Sequence, residues 1–245
     1  MTRMLPLCLL LLSSALAATA LPKLTFDAGL LGVQATVRSL PATPRRDEPD
    51  FFPPAHLTVR LGPDNGALHE LNVYPVAGLL AQYPERPGEV RPQLDRLKTL
   101  LQTRRVPPLA SELPFLPLVP AGQVLHAAVA YLNFPGGHGV RYLTAYSQEV
   151  APVTRQQVFY TFQGLSDDGR AYVSFQYDLN LKELPQDVTS AADRALLQTL
   201  MSPDTQRVQT AWNSYLTRTV KRLDALTQDP RLTRLDRFVR SVQLR

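Results

Sequence analysis

The chain has 245 residues, 26 Lys plus Arg against 21 Asp plus Glu, a formal net charge of +5 and 44% hydrophobic residues. This is a globular composition, and it excludes a chain that stays disordered for want of apolar surface. The single cysteine is Cys8; it lies in the apolar N-terminal run, so a chain processed after that run has no disulfide, thiolate nucleophile or Cys-ligated metal.

Residues 1–20 predict a secretory signal peptide. Met1-Thr2-Arg3 is a short basic start, Met4 to Leu12 is apolar, and small residues follow at Ala15-Leu16-Ala17 and Ala18-Thr19-Ala20. That order suits cleavage after Ala17 or Ala20. The run is too short for a membrane anchor, which needs roughly 20 apolar residues. The expectation is therefore an exported protein, periplasmic or extracellular, with no transmembrane span after cleavage. About 225 residues then remain, read as one domain over 21–245.

Proline dominates the first part of that domain. The chain has 22 prolines, and they crowd residues 41–120. Proline fixes φ and lacks an amide donor, so these stretches cannot be helix interiors or central strands. The segment VPPLASELPFLPLVP, ending at Pro120, is also apolar at Leu109, Leu113, Phe115, Leu116, Leu118 and Val119. It reads as an extended segment packed along the core rather than a flexible linker. Around it, strands are predicted at Val33–Val37, His56–Leu61 and Leu68–Val76, the last two joined by an Asn-Gly turn at Asn65-Gly66. Arg91 to Thr103 predicts an amphipathic helix with Leu94, Leu97, Leu100 and Leu101 on one face.

Residues 123–181 read as a meander of two hairpins. Gln123–Phe134 turns through Pro135-Gly136-Gly137-His138-Gly139 into Val140–Val150. Val158–Leu165 turns through Ser166-Asp167-Asp168-Gly169 into Arg170–Leu181. In the last strand Ala171, Val173, Phe175 and Tyr177 alternate with Arg170, Tyr172, Ser174, Gln176 and Asp178, the pattern of a half-buried antiparallel strand.

Residues 190–240 are helical. Ser190 to Asp193 forms a capping-box variant opening a helix through Met201. Ser202-Pro203 predicts a restart with serine at the N-cap. Val208, Trp212, Tyr215, Leu216, Val220, Leu223 and Leu226 then hold one stripe. Asp229-Pro230 caps a last helix through Val239, and Ser241–Leu244 is expected to return one strand to the sheet.

The wording of Tyr142–Gln148, Phe159–Gly169, Tyr172–Ser174 and Leu184-Pro185 resembles a group of uncharacterised exported bacterial proteins. That group has no known activity, so the resemblance assigns no residue a role. Leu235–Leu244, a closing helix, a serine and a short final strand, is similar to PsbP-like and Mog-like α/β/α sandwiches. That resemblance implies an antiparallel sheet covered by helices, in a fold used mostly for assembly and binding. The expected class is thus α+β: two consecutive hairpins plus N-terminal strands in an antiparallel sheet covered by C-terminal helices.

Candidate chemistry is sparse. Asp167 and Asp168 could offer oxygen ligands, but calcium loops space their acids at alternate positions, and turn chemistry accounts for both aspartates and for Gly169. The loop at 135–139 precedes a strand, whereas phosphate loops precede a helix. No Gly-x-Ser-x-Gly elbow is present. His56, His69, His126 and His138 form no ligand pair of the His-x-x-x-His kind. No catalytic, cofactor-binding or metal-binding residue is assigned, and no cofactor is expected. The basic excess sits at the end: Arg207, Arg218, Lys221, Arg222, Arg231, Arg234, Arg237, Arg240 and Arg245 face only Asp204, Asp224, Asp229 and Asp236. Arg218, Lys221, Arg222, Arg231, Arg234, Arg237 and Arg240, with Trp212 and Tyr215 as interfacial anchors, could meet an anionic surface; the plainer reading makes both rings core and the arginines a solvated face. Export disfavours nucleic acid. The expected function is a non-catalytic envelope protein that binds a protein partner or small ligand. The alternatives are a hydrolase assembled only in three dimensions, with His138, Asp167 and Asp168 as first candidates, and the anionic-surface binder.

Overall fold

The computed structural model describes residues 21–46, 51–63, 67–83 and 90–245. The signal-peptide expectation, Cys8 and the Asn65-Gly66 turn lie outside them. The described residues form an α+β fold around a seven-stranded antiparallel sheet. In chain order its strands are β2 (Ala35–Leu40), β3 (His56–Leu61), β4 (His69–Pro75), β5 (Gly122–Phe134), β6 (Gly137–Ser147), β7 (Phe159–Ser166) and β8 (Ala171–Asp178). Their spatial order is β2-β3-β4-β8-β7-β6-β5. The predicted meander is therefore contiguous, and β8 joins it to the N-terminal strands. Helices α1 (Val76–Gln82) and α2 (Val90–Thr103) precede β5; α3 (Ala191–Leu200), α4 (Thr205–Asp224) and α5 (Pro230–Ser241) follow β8. The short α1 was not anticipated, because Leu68 to Val76 reads as one strand until Pro75 ends it.

The closing strand is a correction. β9 (Gln243–Leu244) pairs with β1 (Leu24–Thr25) in a separate two-stranded sheet, not with the main one. Lys23 and Arg245 exchange backbone hydrogen bonds at 2.8 and 3.0 Å. A second correction concerns α4: its N-cap is Asp204, which accepts from the Arg207 amide, and not Ser202. Ser190 and Asp229 cap α3 and α5 as their sequence positions predict.

Strand alternation divides the core in two. One face carries Val59, Leu71, Val73, Phe175, Phe162, Leu143 and Tyr160, packed against Leu216 and Leu223 of α4 and Leu232, Leu235 and Phe238 of α5. A single cation interrupts it. Arg141 lies in the row with Phe162, Phe175, Leu71 and Val59, and its side chain is 1% exposed. It donates to the carbonyls of Ala128 and Thr227 and approaches Asp236 at 3.2 Å. Asp236 also accepts from the Tyr160 hydroxyl at 2.9 Å. Ala128 sits at φ 50 in a β5 irregularity, and its amide donates to Asp224 at 2.7 Å. These polar groups tie the sheet to α4 and α5 at fixed points within an otherwise apolar layer.

The opposite face carries Tyr74, Tyr142 and Tyr172, with α1, α2 and Leu113 and Leu116 of the proline-rich segment packed on it. The extended, core-packed reading of that segment holds at Leu113–Leu116, all buried, while Val119 is exposed. The half-buried reading of β8 does not hold. Tyr172, Ser174 and Gln176 are buried along with Val173 and Phe175: the proline-rich segment lies over Tyr172 and Ser174, while Gln176 is sunk in the floor of a groove beyond it.

Candidate functional site

The polar parity of five strands converges on that second face. Cross-strand register aligns Arg38, Thr58, Asn72, Ser174 and Gln163 in one row, and Thr36, Arg60, Glu70, Gln176 and Thr161 in the next. The proline-rich segment satisfies the half of these rows lying over β7. Gln163 accepts from the Leu116 amide at 3.1 Å and from the Tyr172 hydroxyl. Its amide donates to Thr161 at 2.8 Å and Ser174 at 3.2 Å. Ser174 in turn donates to the Leu116 carbonyl at 2.5 Å.

Over β2, β3, β4 and the adjacent end of β8 the described residues leave the same rows uncovered, and these floor a groove of about 630 Å³. Its apolar rim is Leu40, Phe51, Pro53, Pro117 and Leu118. Arg60 and Glu70 pair across it at 2.6 Å. Asn72 and Gln176 are only 6% and 5% exposed, and Thr58 is buried beside them. Among the described residues none of these three side chains has a hydrogen-bond partner. Their polar atoms are also not among those sealed from solvent, so they border the groove. Their hydrogen-bonding capacity is therefore left to solvent or to whatever else enters the groove.

His56 closes one end of the floor. Burial lowers its pKa below the ordinary imidazole value, so it is neutral at pH 7. Nδ1 lies 2.8 Å from the Pro54 carbonyl. A carbonyl only accepts, so Nδ1 carries the proton and Nε2 is left as an acceptor. The ring packs 4.8 Å from Tyr74. No hydrogen bond joins His56 to Thr58 or Thr36, so the floor holds no base–hydroxyl pair.

The residues first considered for chemistry lie at another corner. The turns at 135–136 and 167–170 are neighbours, joined by the Asp167 amide donating to Gly136 O at 2.9 Å. His138 Nδ1 sits 3.2 Å from Asp167, with the two side chains 39% and 69% exposed. Ser166 donates to Asp168 at 2.6 Å and accepts from the Ala171 amide at 2.9 Å. The serine thereby holds the Asp168 carboxyl below the usual range. Its hydroxyl is turned to a turn-capping carboxylate and has no hydrogen bond to His138, so the three residues meet as a corner without a nucleophile–base contact. Gly169 closes it at φ 69, its amide donating to Ser166 O at 2.8 Å.

The glycines of 135–139 are explained by packing. Only Pro135 and Gly136, at φ 85, form the turn. A Cβ on Gly137 or Gly139 would lie 2.2 Å from the Phe134 ring or 2.3 Å from the Phe162 ring. These glycines already belong to β6, and they leave room for aromatic rings lying across the sheet. Of the remaining histidines, His126 is buried with Nε2 3.3 Å from the Pro107 carbonyl, and His69 stacks on Tyr177 at 3.8 Å. Among the described residues no group of three His, Cys, Asp or Glu side chains is placed to hold a metal.

The basic tail is partly structural. Arg231 pairs with Asp229 at 2.8 Å and Glu183 at 2.7 Å, lowering both carboxyl pKa values. Arg234 donates to the carbonyls of Leu30 and Leu31, and Arg222 to that of Glu183. Arg218, Lys221, Arg237 and Arg240 remain on exposed faces. Trp212 and Tyr215 stack at 5.3 Å and pack against the core, and the Tyr215 hydroxyl accepts from the Val153 amide at 2.6 Å. Among the described residues no helix is long and apolar enough to cross a membrane.

Searches against protein families, curated proteins and solved structures returned no match. The groove residues Thr58, Asn72 and Gln176 were not singled out in the sequence. Their signal was there: β3, β4 and β8 each place polar side chains on one parity. A strand's polar parity normally faces water, so it marks no site until the register aligns the three strands under a common rim.

Proposed function

We propose that the protein is an exported, non-catalytic binding protein of the cell envelope, and that its ligand lies in the groove over β3, β4 and β8. One observation carries this reading: Asn72, Gln176 and Thr58 are buried in a concave floor and have no hydrogen-bond partner among the described residues. Ligand sites combine apolar walls with a few convergent polar groups that fix orientation, and unsatisfied polar groups are tolerated where function requires them. Export rests on the order of residues 1–20.

The test is to incubate the purified chain with an extract of its own envelope fraction and weigh the recovered complex by native mass spectrometry. The wild-type protein is expected to retain an adduct that the double variant Asn72→Leu/Gln176→Leu lacks. Identical spectra for the two proteins would remove the groove as the site. The anionic-surface alternative places binding on Arg218, Lys221, Arg237 and Arg240; it predicts salt-sensitive cosedimentation with anionic vesicles that the groove variant leaves unchanged.

A further inference from the structure

The floor's chemistry narrows the ligand class, on the assumption that the groove is the binding site. We infer that the groove takes a short stretch of saccharide. Two features point there. The floor offers donors and acceptors side by side: the carboxamides of Asn72 and Gln176, the hydroxyls of Thr36 and Thr58, the guanidinium of Arg38 and the Arg60–Glu70 pair. A carboxamide presents a donor and an acceptor together, the complement of adjacent sugar hydroxyls, each of which both donates and accepts. The rim then supplies apolar and aromatic surface. Phe51, part-exposed, stacks on Tyr83 at 6.0 Å and meets Tyr74 edge-on at 5.9 Å, a platform for the C–H face of a sugar ring.

Other occupants fit the floor less well. An extended peptide is held mainly by backbone hydrogen bonds to a free strand edge. The free edge on this side is the outer side of β2. Asn72 on β4 and Gln176 on β8 lie two and three strands inward, about 10–14 Å away at the usual strand spacing. A peptide on that edge would leave both amides unsatisfied. An acyl chain would desolvate the amides and the Arg60–Glu70 pair and return no hydrogen bonds.

The experiment has two parts. Labelled wild-type protein and Asn72→Leu/Gln176→Leu are applied to a broad array of bacterial and plant glycans. The strongest glycan is then titrated into 15N-labelled protein. The expected result is a signal on the array that the double variant loses by at least about tenfold, the equivalent of one good hydrogen bond, together with shifts of the Asn72 and Gln176 side-chain amide resonances. No wild-type signal above the double variant anywhere on the array overturns the saccharide assignment. If the envelope-extract adduct still depends on Asn72 and Gln176, only the ligand class has failed. Glycan binding that is unchanged in the variant and shifts resonances elsewhere overturns the groove reading as well.

Discussion

The two faces of the sheet treat buried polar groups differently. On the face under α4 and α5, Arg141, Asp236, Tyr160 and Asp224 are joined to one another or to backbone, and they fix helices to strands. On the other face the polar rows split. Gln163, Thr161 and Ser174 are joined to Leu116 and to one another under the proline-rich segment, while Thr58, Asn72 and Gln176 have no partner among the described residues where that segment stops. Burial of polar side chains by itself therefore does not mark a site. The mark is burial without partners beside an open cavity.

Substitutions can break or sharpen this contrast. Asp236→Ala should have the largest effect, about 3–5 kcal/mol of lost stability in urea unfolding, because Arg141 is left buried without its carboxylate. A loss under about 1 kcal/mol would mean the pair is not the fixed point between sheet and helices. Gln163→Leu should cost about 1–3 kcal/mol, since the Leu116 amide and the Tyr172 hydroxyl each lose an acceptor. Asn72→Leu and Gln176→Leu should behave oppositely, each neutral or stabilising by up to about 1 kcal/mol, because no partner is orphaned. If either costs as much as Gln163→Leu, the two halves of the polar face are alike and the groove loses its distinction.

The smallest effect is on pH dependence. Burial lowers the pKa of both His56 and His126, so the unfolded chain binds protons at higher pH than the folded one does. Stability should be unaffected by these groups above about pH 6.5, the ordinary imidazole value. It should fall as pH drops from there through the lowered folded values. Melting temperatures at pH 7 and pH 5 should differ less in His56→Phe and in His126→Leu than in the wild-type protein. An unchanged slope in both variants would show that neither imidazole is buried neutral.

Much of the fold was legible because it depends on local rules. Period-two alternation placed β3 and β5–β8 to within a few residues, and caps at Ser190 and Asp229 placed α3 and α5. The same rules erred where a local signal had a non-local cause. Gly137 and Gly139 look like turn residues and are strand residues under aromatic rings. Ser202-Pro203 looks like a helix start, yet Asp204 provides the cap two residues after Ser202. At residues 166–169 the local reading holds: Asp167, Asp168 and Gly169 form the turn their chemistry predicts, with Ser166 held by Asp168.

Most of the elements, their amphipathic faces and the extended, buried course of Leu113–Leu116 follow from the sequence, because φ restriction, capping and side-chain period act over a few residues. Tertiary structure alone decided which polar residues acquire partners. Arg141 meets Asp236 because α5 lies against the sheet there, and Asn72 lies between Thr58 and Ser174 because strand register sets it there. The reason is physical: a polar side chain's role depends on what stands within about 3 Å of it in the folded state, and residues that close are often a hundred positions away in the chain.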